Sequence, residues 1–83
     1  MKRKTDVKEL RKEMAEKGIT TIMELSAETG VSRITLGKIL RGEVQPSSDV
    51  MYKLVEGLNL SPEKAGKIFF AENLLAFAYS RSY

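Results

Sequence analysis

The sequence contains neither cysteine nor histidine. Without cysteine there is no disulfide framework and no thiolate metal site. Without histidine, carboxylates alone would have to hold a metal, and no Asp-rich calcium loop is present. Long apolar runs are also missing: none approaches the ~20 residues a membrane-spanning helix needs. The start, MKRKTDVKEL, is basic, but no apolar core of roughly 7–15 residues follows it, as a secretory leader would require. No alternating strand pattern and no internal repeat occurs. No catalytic constellation stands out either, and the scattered Asp and Glu read as helix caps and solvated faces. These absences lead to the expectation of a cytoplasmic non-enzyme without metal, membrane anchor or small-molecule cofactor.

What is present is the balance of one folded domain. The chain has 83 residues, 42% apolar and 30% charged, which separates it from disordered sequences. A domain of this size buries roughly 60–65% of its unfolded surface, enough for one core. The net charge of +3 points only weakly to an anionic partner. Its distribution is more informative. Lys2, Arg3 and Lys4 open the chain, and the stretch from Arg33 to Arg41 holds three cations and no acid.

Local signals divide the chain into five helical segments, hence an all-α fold. Asp6 followed by Glu9 has the spacing of a capping box, and Val7, Leu10 and Met14 then recur on one helical face until Gly18 stops it. Thr21 and Glu24 repeat that spacing and open IMELSAET, which Gly30 ends. Ser32 caps a third helix that runs to about Leu40 and stops near Gly42, with Val31 and Leu36 spaced as a hydrophobic staple. After the loop EVQPSS, Ser47 or Ser48 caps a fourth helix carrying Val50, Met51, Leu54, Val55 and Leu58, and Asn59 suits its end. Ser61-Pro62 restarts the chain as a fifth helix reaching about Tyr79. Tyr52, Phe69 and Phe70 read as core rather than as stacking platforms.

Segments two and three form a helix-turn-helix, with glycine at the turn. On a wheel of 100° per residue, Leu36, Ile39 and Leu40 fall on one side of the third helix. Ile34, Lys38 and Arg41 fall on the other, with Arg33 and Gly37 at its edge. That outward face offers an arginine for guanine O6 and N7, an apolar side chain for a thymine methyl, and cations for phosphates. Gly37 costs roughly 0.8–1 kcal/mol of helix propensity against alanine, which close approach of another backbone would justify.

The stretch TIMELSAETGVSRITLGKILRG resembles the helix-turn-helix of phage repressors and Cro proteins, the lambda-repressor-like or xenobiotic-response-element group. Gly30-Val31-Ser32, Thr35-Leu36 and Arg41-Gly42 match the frame of that motif, and QPSSDVMYKLVEGLNLSP resembles its fourth helix and turn. The resemblance covers roughly residues 6 to 75. It implies a compact five-helix domain that binds double-stranded DNA with its third helix in the major groove. Base contacts would come from Arg33, Ile34 and Lys38, with Ser32 contributing. Thr35 and Gly37 lie in the same set, Arg41 meets phosphate, and Thr21 sits near the duplex backbone, although its capping role alone explains it. Lys38 is open between base and phosphate. Three positions depart from the family pattern: Ile22 where Gln often holds phosphate, Ser26 where Ala is usual, and Thr29 where an apolar residue is usual.

The expected organisation is a basic arm over residues 1–5, one DNA-binding domain over 6–79, and a tail over 80–83. Lys2, Arg3 and Lys4 either reach along a groove or form a solvated tail. Residues 68–79 are apolar on two sides of a helical wheel, and Phe70, Leu74 and Phe77 on one side are the expected two-fold interface of a homodimer. A break near Asn73, folding the second half back onto the core, is the plainer alternative. The functional expectation is a phage or prophage regulator of Cro/repressor type on a two-fold-symmetric operator. The rivals are the antitoxin of a toxin–antitoxin pair and a protein-interaction module that retains the fold.

Overall fold

Five hydroxyl or carboxylate side chains set where the helices begin. The computed structural model describes residues 5–70. It contains α1 (Val7–Glu16), α2 (Ile22–Thr29), α3 (Arg33–Leu40), α4 (Ser48–Gly57) and α5 (Pro62–Phe69). Their N-caps are Asp6, Thr21, Ser32, Ser47 and Ser61, each in extended backbone and each accepting a backbone N–H from the first turn. A cap of this kind contributes about 1 kcal/mol. The fold is all-α, and the described residues contain no strand.

Two local expectations are corrected. Asp6 accepts from the Glu9 N–H at 3.2 Å, but Glu9 does not complete a capping box. Its carboxylate pairs with Lys67 of α5 at 3.6 Å, and the Asp6 N–H donates to the Ile68 carbonyl at 2.6 Å. Contact with α5 thus takes both partners away from the reciprocal bond. The fifth helix ends at Phe69 rather than running to Tyr79, because Phe70 leaves helical backbone at φ −131° and ψ 28°. Ile68 and Phe69 are buried, and Phe70 also packs on the core. Three consecutive residues sweep about 200° around a helix, so leaving the helix lets all three meet one core.

The core joins Leu10 and Met14 of α1, Leu25 of α2, Leu36, Ile39 and Leu40 of α3, Leu54 of α4, and Ile68 and Phe69 of α5. Tyr52 does not belong to it: the ring stands 67% exposed on α4. Helix α2 packs on α3 and α4, while α1 packs on α5 and α3. The α2–α4 crossing is close enough to require glycine. A Cβ on Gly57 would stand 2.6 Å from Thr29 Cγ2 and 2.9 Å from the Glu28 carbonyl oxygen. Between α1 and α5, the buried Glu13 receives Lys64 at 3.3 Å, tying the two helices together.

Candidate nucleic-acid interface

The turn between α2 and α3 is braced from α2. Gly30 sits at φ 78°, a left-handed conformation that a Cβ disfavours. The next residue, Val31, has both backbone groups engaged. Its N–H donates to Thr29 Oγ1 at 3.2 Å, and its carbonyl accepts from Ser26 Oγ at 2.6 Å. Thr29 Oγ1 also donates to the Leu25 carbonyl at 2.8 Å, so its burial leaves no unmet hydroxyl. The two polar departures noted in α2 therefore hold the turn that aims α3.

At the start of α3, Ser32 Oγ accepts the Thr35 N–H at 3.2 Å and donates to Thr35 Oγ1 at 2.9 Å. The Thr35 hydroxyl keeps its own proton for another acceptor. At the start of α2, Thr21 and Glu24 form the complete capping box. The Glu24 carboxylate accepts from both the backbone and side chain of Thr20, at 2.9 and 3.0 Å, and from Thr21. These bonds, the Thr20 N–H first, hold the carboxyl below its usual value of 4.5.

Helix α3 turns Leu36, Ile39 and Leu40 into the core. Ile34 is 75% exposed, and Arg33, Lys38 and Arg41 are exposed with it. Ile22, Arg33, Ile34, Gly37 and Arg41 line one open depression. Arg33 makes no side-chain hydrogen bond or ion pair among the described residues. Arg41 behaves differently. Its Nε donates to Glu43, which raises the guanidinium's pKa and lowers that of Glu43. Lys38 adds a smaller attraction on Glu43. Gly37 is buried at the floor of that depression. What approaches it is not another backbone: a Cβ there would lie 3.1 Å from Arg41 Nη1 and 3.9 Å from Ile22 Cδ1.

The turn is thus followed by a helix that buries one face in the core and turns its cations outward. The model described as Helix-turn-helix matches residues 7–64. The chain belongs to the helix-turn-helix family of Cro and repressor type. Helix-turn-helix proteins of this type are DNA-binding transcription regulators and typically not enzymes, and that general role holds here. No curated protein and no solved structure matches the chain. Among the described residues, no helix is long and apolar enough to cross a membrane, and no cluster of acidic side chains could hold a metal ion.

The helix-turn-helix frame thus brings Arg33, Ile34, Gly37 and Arg41 together, with Ser32 and Thr35 at the start of the same helix. Lys2, Arg3, Lys4, Leu74 and Phe77 lie outside the described residues. Phe70 is half-buried against its own core. Sequence reasoning missed Glu43, which follows Arg41 by two residues in the loop and holds its guanidinium. The signal is present in the sequence, since Glu43 is the first acid after the cationic run from Arg33 to Arg41.

Proposed function

We propose that the protein is a cytoplasmic Cro/repressor-type regulator, of phage or prophage kind, that reads a two-fold-symmetric operator as a homodimer through α3. The observation that carries this reading is the outer face of α3, where Arg33 has no partner among the described residues and stands beside the exposed Ile34 and Lys38. An arginine at the helix start suits guanine O6 and N7, and Lys38 and Arg41 suit phosphates. Ser32, Thr35 and Gly37 complete the contact set, with Thr21 near the backbone.

Lys2, Arg3 and Lys4 form a basic arm ahead of the domain in this proposal. Thr5 supports it: its N–H and hydroxyl both donate to Gln45 Oε1 at 2.8 Å, which fixes the root of the arm beside the loop after α3. The dimer is assigned to Phe70, Leu74 and Phe77, and its support is the apolar character of that stretch of sequence. Half-site recognition helices would then stand roughly 34–36 Å apart.

Duplex titration over a range of salt concentrations tests the reading. Binding should weaken linearly on log–log axes, and Lys38→Ala should reduce the slope's magnitude by roughly 0.9 if it meets a phosphate. Sedimentation with and without duplex tests the dimer. No salt-dependent binding to any duplex would favour the protein-interaction module instead.

A further inference from the structure

We infer that Ile22, Ile34 and Gly37 form a cup for the 5-methyl group of one thymine in the major groove, so that Ile22 on α2 helps determine sequence preference. The inference rests on the DNA-binding reading above. Ile34 leaves 75% of its surface exposed on a face whose other prominent side chains are cations. Ile22, the first residue of α2, is only half-buried. The two isoleucines line the same open depression with Gly37, and Arg33 and Arg41 complete its rim.

Gly37 keeps that depression open. The site of its absent Cβ is 3.9 Å from Ile22 Cδ1 and 3.1 Å from Arg41 Nη1. A methyl group added there would occupy the floor, and a larger side chain would close it. Glycine is retained at this mid-helix position despite its poor helix propensity. The site of the absent Cβ faces two side chains, Ile22 of α2 and Arg41, rather than another backbone.

The chemistry of the rim selects the occupant. An apolar protein helix would have to desolvate two guanidinium groups to reach the isoleucines. A DNA duplex instead supplies an anionic partner for Arg33 and a phosphate that can compete with Glu43 for Arg41. Among the groups that the major groove displays, the thymine 5-methyl is the apolar one. An apolar floor within a cationic rim therefore fits a thymine whose neighbouring phosphates or bases engage Arg33 and Arg41.

The test uses the full chain and the duplex it selects from a random pool, with each thymine replaced in turn by deoxyuridine, which lacks only the methyl group. At one thymine per recognition helix, loss of the methyl should weaken binding about fourfold, the value expected for one buried methyl-sized group. Gly37→Ala fills the floor and Ile22→Val withdraws one wall. Each should reduce the thymine-to-uracil ratio at that position to below about twofold. Both variants should fold: the new Cβ at position 37 is tight only against the flexible end of Arg41, with Ile22 Cδ1 at ordinary contact distance, and Ile22→Val removes one methyl group from a half-buried side chain; thermal melting checks this. Tolerance of uracil at every thymine, with binding intact, overturns the inference. So does a ratio unchanged in both folded variants. Failure of the wild type to bind any duplex would overturn the underlying DNA-binding proposal first.

Discussion

Along the seam between α1 and α5, cations meet acids: Lys64 lies 3.3 Å from the buried Glu13 and 3.9 Å from Glu16, and Lys67 lies 3.6 Å from Glu9. On the outer face of α3, Arg33 has no partner among the described residues, and Arg41 has one only through the loop residue Glu43. The two regions carry the same residue types to different ends. Charges on the seam are matched within the chain and hold one helix to another. On the α3 face, Arg33 is left for something else to match, and Arg41 is held only by an exposed loop acid. A cation's neighbours, rather than its identity, separate structural from functional use.

The comparison can be broken at the scaffold first. Gly57→Ala should cost about 2 kcal/mol of stability by chemical denaturation, because overpacking against Thr29 and the Glu28 carbonyl exceeds the gain in helix propensity. Lys64→Ala should cost about 1 kcal/mol, since Glu13 stays buried and keeps only Lys17, at 3.9 Å. For both variants, duplex affinity per folded molecule should stay at the wild-type value; a selective loss of binding would erase the distinction between the regions.

Glu43→Gln sharpens the other side. It frees Arg41 for phosphate and should raise affinity for duplexes of any sequence roughly two- to threefold, the scale of one exposed ion pair. Equal or weaker binding would show that Glu43 does not compete with DNA for Arg41. The smallest effect is on acid stability. Hydrogen bonds from Thr20, then Thr21, lower the folded-state pKa of Glu24 below 4.5. The stability it supplies is therefore fully present above pH 4.5 and is lost as pH falls through the folded value. Melting curves of wild type and Glu24→Gln should differ near neutrality and converge below pH 4.5. A constant gap would mean that the ionised carboxylate contributes nothing.

Much of the fold was readable because capping is local. Thr21, Ser32 and Ser61 announce helix starts through a hydroxyl and a backbone N–H three residues apart, and Gly30 announces the turn between them. The exposed face of α3 was readable from helical period alone, down to Ile34. What was hidden depends on elements distant in sequence. Glu13 looks like a solvated acid until α5 lays Lys64 against it. Nothing local marks Gly57, whose need for glycine comes from the crossing of α2. Asp6 and Glu9 have the spacing of a capping box, yet α5 claims both. Gly37 was noticed as costly, but its neighbours are Arg41 and Ile22, which only the folded turn brings to it.

The central claim is that α3 reads base sequence, with Arg33 as a reader. Selection from a random duplex pool, run in parallel on wild type and Arg33→Ala, tests it most directly. The wild type should enrich a two-fold-symmetric consensus containing a guanine in each half, and Arg33→Ala should lose that preference at the one base pair, with a loss of roughly 1–3 kcal/mol on the wild-type site. An unchanged consensus in the variant, or no enrichment by the wild type, would contradict it.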